Sequence, residues 1–172
     1  METYFIFGNI FSFVAALCLF ISIFKKTTKD LLLWQVTEVV FCILSNIALA
    51  TYSALTTNSV ALIRDILAYK NKLTKKITFI LLFLCIIFGL IANNRGIIGL
   101  FPMAASFVYT VFLYETRNEQ QIRFALIVNL MLWFVHDFYV GAYPSALMDV
   151  GLSAWSLFNI LKNMKFEQKK LK

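Results

Sequence analysis

Charge is scarce in this chain: Asp, Glu, Lys and Arg make up 15% of its 172 residues, against about 25% in a soluble domain. A water-facing globule of this length could not cover its surface with so few charged groups, which excludes a soluble enzyme or soluble binding domain. Two prolines and six glycines exclude collagen-like and low-complexity chains. The three cysteines, Cys18, Cys42 and Cys85, are odd in number and sit inside apolar stretches without ligand-pair spacing. They read as buried thiols, neither a disulfide framework nor a zinc site. A single histidine, with carboxylates scattered along the chain, supplies neither a metal set nor a nucleophile with its base. The expectation is therefore no catalytic residues, no metal and no cofactor. What the sequence has is apolar bulk: 60% hydrophobic residues, 18 of them phenylalanine, and a mean hydropathy of +0.78. Its solvent is mainly lipid.

A bilayer core of about 30 Å takes about 20 apolar helical residues, and about 17 where a helix is short. That ruler places spans near 3–24, 31–48, 51–69, 77–93, 96–114, 122–139 and 143–163. The start, Met1-Glu2-Thr3-Tyr4, lacks the basic region of a signal peptide, and the apolar run to Phe24 exceeds a usual signal core, so the first segment reads as a retained span. The fold class expected is all-α: a polytopic membrane protein of seven transmembrane helices.

Charge placement supports the odd count. All the lysines and arginines except Arg64 and Arg95 fall in short clusters between or after apolar runs: Lys25, Lys26 and Lys29; Lys70, Lys72, Lys75 and Lys76; Arg117 and Arg123; Lys162, Lys165, Lys169, Lys170 and Lys172. With seven spans these clusters share one side of the membrane and Arg95 stands on the other. The positive-inside rule then puts the N-terminus outside and the C-terminus in the cytoplasm. The net charge of +7 is membrane topology, not a nucleic-acid footprint.

Ser59-Val60-Ala61-Leu62 and Asp149-Val150-Gly151-Leu152 lie 90 residues apart at similar places in the third and seventh spans. That spacing suits two three-helix units in the same orientation joined by a connecting helix, the parallel-repeat plan of one class of small transporters. The division is a first bundle at 1–70, a linker helix at 77–93, a second bundle at 96–163 and a basic cytoplasmic tail at 164–172, all within one membrane domain.

An ionisable group inside a span costs about 2.5–3.5 kcal/mol on insertion scales, so each requires a partner or a watery cavity. Glu38 lies about 12 Å above the basic end of the second span, and Arg64 about 7–8 Å above that of the third, close enough for an ion pair. Asp65, about 100° further round its helix, is expected to face the basic loop. Near the opposite side, Asn129, Trp133 and His136 recur at i, i+4 and i+7 on the sixth span, and Asp149, Ser153, Ser156 and Asn159 share a face of the seventh. Asp149 lies about 9 Å into its span, within reach of a hydrogen bond from His136 across the short turn. Gly8, Asn9, Ser12 and Ala16 form a small-residue face on the first span, and Pro102, Ser106 and Tyr109 recur on the fifth, where Pro102 is expected to bend the helix. Trp34 reads as an interface anchor. The pathway candidates are therefore Asn129, Trp133, His136, Asp149, Ser153, Asn159, Glu38, Arg64, Asn9 and Pro102.

The stretch Leu132-Trp133-Phe134-Val135-His136-Asp137-Phe138-Tyr139-Val140-Gly141-Ala142-Tyr143, followed by Asp149, resembles the YgjV-type bacterial inner membrane proteins. Leu100-Phe101-Pro102-Met103-Ala104-Ala105 is similar to that family's Leu-x-Pro start of the fifth span, and Ser59-Val60-Ala61-Leu62-Ile63-Arg64 looks like its small-residue run before an arginine. Asp137 and Ala142 stand where that family would have an asparagine and a serine. The family is distantly similar to the SWEET and PQ-loop transporters, which implies two parallel three-helix bundles, a solute pathway between them and alternating access by rocking; it carries no substrate assignment.

The leading expectation is a small-solute transporter or facilitator of the bacterial inner membrane, with the lipid bilayer and a small polar solute as partners and a second copy of the chain admitted. The alternative is a non-transporting membrane receptor, assembly factor or partner subunit whose polar stripes are packing bonds worth about 0.6 kcal/mol each. A membrane enzyme comes third.

Overall fold

Seven helices occupy the seven apolar stretches. In this computed structural model, which describes residues 2–25, 28–115 and 119–170, they are α1 (Glu2–Ile23), α2 (Thr28–Ala48), α3 (Tyr52–Tyr69), α4 (Lys75–Ile91), α5 (Phe101–Glu115), α6 (Glu119–Val140) and α7 (Tyr143–Lys170). A 3₁₀ turn, Ile98–Leu100, leads into α5, and no strand occurs among the described residues. Helix is the outcome that lipid requires, because each backbone N–H and C=O must find its partner within its own segment.

The turns are built from local chemistry. Ala50 (φ 52°) and Asn71 (φ 54°) end α2 and α3 in left-handed conformations, the geometry that halts a helix and turns the chain. The α2–α3 turn is held from the α4–α5 connection. The Asn94 amide donates to the Ala50 carbonyl (2.7 Å) and accepts from the Tyr52 N–H (3.1 Å), while Arg95 Nη2 donates to the Leu49 carbonyl (2.8 Å). One loop thus satisfies the orphan carbonyls at the end of α2 and the first orphan N–H of α3.

The helices pack in a closed ring. In order round the ring, α1 packs on α2, α2 on α3, α3 on α5, α5 on α6, α6 on α7, and α7 returns to α1, while α4 lies outside against α3 and α5. The α1–α2 crossing is tight at Gly8, where an added Cβ would stand 2.7 Å from the Leu49 side chain, and Ser45 Oγ donates to the Gly8 carbonyl at 2.8 Å. The ring closes where Ser12 of α1 meets Ser145 of α7. Their hydroxyls lie 2.8 Å apart and the Ser145 N–H donates to Ser12 Oγ at 3.1 Å. Ser12 thereby serves an N–H in the first turn of α7 that has no intrahelical acceptor.

Polarity is inverted relative to a soluble protein. Phe13, Phe20, Phe83, Phe107, Phe124, Phe138 and Phe158 are exposed, whereas Ser12, Ser45, Asn46, Thr57, Asn58, Asp65, His136, Asp137, Asp149 and Ser153 are buried. Among the described residues, one helix taken singly is long and apolar enough to cross a membrane: α1 over Glu2–Ser22. Leu32–Ala48, Ile98–Val111 and Phe124–Val140 are shorter apolar stretches. On the ring helices the polar inner face lowers the average, because a helix lining a polar interior needs to be apolar only outside; α4, outside the ring, is apolar but only 17 residues long.

At one end of the bundle stand the start of α1, the α2–α3 turn, the α4–α5 connection and the α6–α7 turn, as the Gly8–Leu49, Asn94–Ala50 and Phe5–Gly141 contacts require. Arg95 is the basic residue there. At the other end lie Lys25, Lys29, Lys70, Lys72, Lys75 and Lys76, with the Lys25 ammonium 5.1 Å from the Trp34 ring centre. Lys26, Arg117 and Lys172, and the side chains of Arg123, Lys165, Lys169 and Lys170, lie outside the described residues.

Two features differ from expectation. Pro102 is the second residue of α5, in a first turn whose N–H groups have no helical acceptor in any case, so it costs no hydrogen bond and does not bend a span. α7 runs on to Lys170, beyond the expected end of the seventh span at 163.

Candidate functional site

The ring encloses a cavity of about 190 Å³ lined by all six of its helices and by no residue of α4. α2 contributes one stripe, Gln35, Glu38, Val39, Cys42, Ser45 and Asn46, whose three- and four-residue steps keep every member on the inner face. On α3 the inward residues are Asn58, Ala61, Arg64 and Asp65; on α5, Ser106 and Tyr109; on α6, Leu126, Asn129, Leu130, Trp133 and Asp137; on α7, Ser145, Met148 and Asp149. Small side chains on α1, Ala15 and Ala16, leave the space open on that side.

Of the sequence candidates, Glu38, Arg64, Asn129, Trp133 and Asp149 meet in this cavity, while His136, Ser153, Asn9 and Pro102 do not line it. His136 is completely buried beside the cavity, edge-on to Trp133 with ring centres 5.8 Å apart. Helix rotation accounts for this. At about 100° per residue, Asn129, Leu126, Trp133, Asp137 and Leu130 cover about 100° of α6, and His136 falls about 20° beyond that arc on the Asn129 side. Ser153 and Ser156 are buried on the predicted face of α7, but below the cavity lining. The Asn159 side chain lies outside the described residues. Asn9 turns back on its own helix, donating to the Phe5 carbonyl at 3.1 Å, and Pro102 is buried in the α5 entry.

The expected ion pair and the expected hydrogen bond are both replaced by pairs between sequence neighbours. Arg64 Nε donates to Asp65 Oδ1 at 2.9 Å, so the guanidinium engages Asp65 rather than Glu38. Asp65 accordingly is buried and lines the cavity instead of facing the basic loop. His136 Nδ1 lies 2.8 Å from Asp137 Oδ1, so the imidazole engages its neighbour rather than Asp149. Glu38 is left with the Cys42 thiol, 3.3 Å from Oε1. Asp149 is 7% exposed, and among the described residues its Oδ2 has no hydrogen-bond partner, nor do His136 Nε2 and Ser153 Oγ.

The cysteines divide. Cys18 and Cys85 are buried, as expected of thiols in apolar runs, whereas Cys42 is half-buried and faces the cavity. Gln35, Ser45, Asn46 and Asn58 are functional candidates that inspection for isolated ionisable groups passes over, and Asp137 is one that the Asn129–Trp133–His136 row leaves out. The 3.6-residue recurrence of polar positions on α2 is the signal that would have found three of them. Among the described residues no group of three or more His, Cys, Asp or Glu side chains is arranged to hold a metal ion.

A closed ring of helices with a polar interior and a phenylalanine-rich exterior is the form expected of a protein embedded in lipid. No curated protein and no solved structure matches the chain. The family Imp-YgjV, described as bacterial inner membrane protein, matches residues 6–167. The chain belongs to this family of bacterial inner membrane proteins.

Proposed function

We propose that the protein is a small-solute carrier of the inner membrane, with the ring cavity as its solute site. The observation that carries this reading is the lining itself: six helices each present side chains to one cavity, and the seventh presents none. In this reading α1–α3 and α5–α7 are two three-helix units in the same orientation, joined by α4 as a linker. The sequential packing within each triplet and the two inter-unit contacts, α3 on α5 and α7 on α1, support it. A parallel pair joined by an odd connecting helix is one of the transporter plans in which the solute site lies at the repeat interface. Rocking of one unit against the other about the cavity would expose it alternately to the two sides, in the manner of SWEET and PQ-loop transporters. The lysine-rich end faces the cytoplasm, placing the N-terminus outside.

Each polar group has a part in such a site. Asn46, Asn58 and Asn129 offer amides that both donate and accept, Trp133 and Tyr109 offer rings with a polar edge, and Glu38 and Asp149 offer carboxyls not committed to a basic side chain. No step in this account makes or breaks a covalent bond, so the protein acts as a carrier rather than an enzyme.

Cysteine accessibility scanning tests the proposal. Single cysteines at Ser145, Met148 and Asp149 on α7, and at Asn129 and Trp133 on α6, should react with membrane-impermeant thiol reagents, some from each side, while Leu147 and Phe158 on the outer face should not. If all the inner positions are inert from both sides, the stripes are packing contacts and the chain is a non-transporting membrane module.

A further inference from the structure

Four carboxyls line the cavity, Glu38, Asp65, Asp137 and Asp149, against the single guanidinium of Arg64. Arg64 is engaged by Asp65 and His136 by Asp137. Among the described residues, two carboxyls make no salt bridge. Glu38 has one thiol contact, and thiols are weak donors. Asp149 presents a buried oxygen, Oδ2, with no hydrogen-bond partner among the described residues. A buried polar group so placed carries an unmet desolvation cost that a bound group of opposite charge removes. Counting about 1.5 Å per residue from the non-basic ends of their helices, Asp149 lies about 9 Å deep and Glu38 about 15 Å, a step of about 6 Å that one small molecule bridges.

The remaining walls narrow the ligand further. Trp133 and Tyr109 border the same space, and indole and phenol faces attract cations held within about 6 Å. At about 30 Å³ per water, 190 Å³ holds about half a dozen waters. It is smaller than the 300–1,000 Å³ of drug-sized sites, which excludes nucleotides and oligosaccharides. An anion would meet four carboxyls with no uncommitted cation.

We propose that the cavity takes a small organic cation, its ammonium group held between Glu38 and Asp149 and its carbon skeleton against Trp133 and Tyr109. This rests on the solute-carrier reading and names the class of solute.

The test is a binding comparison on the full chain in lipid nanodiscs, using choline, tetramethylammonium and 1,4-diaminobutane, with 3,3-dimethyl-1-butanol as the uncharged isostere of choline and glucose as a neutral polyol. At least one of the three cations should bind, tenfold or more tighter than either neutral compound. Asp149→Asn and Glu38→Gln should each weaken that binding tenfold or more, while Leu147→Ala, on the exposed outer face of α7, leaves it unchanged. The wild-type ligand series decides the matter even if a variant fails to fold. Equal affinity for the isostere or glucose, or no binding by any of the three cations, overturns the proposal. Proteoliposomes separate it from the reading beneath: cation binding without cation movement keeps the assignment and removes the carrier, whereas glucose movement without cation binding keeps the carrier and removes the assignment.

Discussion

Two acid–base couples sit at different levels of the same cavity, and they are built differently. Arg64 and Asp65 on α3 both line the cavity, toward the lysine-rich end. His136 and Asp137 on α6 lie near the opposite end; the carboxyl faces the cavity and the imidazole is sealed behind it. Each couple joins residues adjacent in sequence, which helix geometry normally sends apart by about 100°. The long arginine stem reaches back to its neighbour, and the imidazole does so through the ring nitrogen nearer its own backbone. The first couple is a charge pair standing in the polar space. The second is a hydrogen bond that fixes the orientation of a carboxyl. Because both couples close on themselves, no basic side chain among the described residues forms a salt bridge with Glu38 or Asp149.

The sharpest way to break the contrast is Arg64→Ala, which strands the Asp65 carboxyl. Removing one partner of a fully buried pair costs about 3–5 kcal/mol; with the Arg64 side chain 28% exposed the loss falls at the lower end of that range, and thermal unfolding in detergent should still show the largest loss of this set. His136→Ala should cost about 2–3 kcal/mol, combining the void left by a fully buried ring with one lost hydrogen bond. If His136→Ala proves the more damaging, the ranking of the couples is reversed. Ser12→Ala removes the hydroxyl that joins α1 to α7, and should lower stability by about 1 kcal/mol. The subtlest test is Asp137→Asn, which keeps an oxygen to accept from His136 Nδ1. It should change the unfolding midpoint by the equivalent of about 0.5 kcal/mol or less, and a loss near that of Arg64→Ala would make the second couple a charge pair too.

Helix positions were legible because lipid imposes length and hydropathy together: the seven apolar stretches all became helices, with ends shifted by a few residues. The α7 face of Asp149, Ser153 and Ser156 is buried as its spacing implies. Pairings were not legible. Glu38 and Arg64 have compatible heights, but height leaves open the rotation of each helix and the reach of each side chain. On α6 the same ambiguity made His136 the inward residue, when a four-residue step from Trp133 carries the row to Asp137. Pro102 misled for another reason: whether a proline bends a helix depends on its distance from the helix start, and the 3₁₀ turn at Ile98–Leu100 moved that start by several residues. The α2 stripe was written in the sequence, yet only its charged member stood out.

The placement of α4 gives the experimenter a neutral observation post. Phe83 on that helix is 64% exposed and points away from the ring, so a fluorophore attached there would sample acyl chains without obstructing any ligand. Its emission would register thinning or tilting of the surrounding bilayer as the neighbouring rods shift, a remote gauge of movement in a protein whose interior is too small to hold a dye.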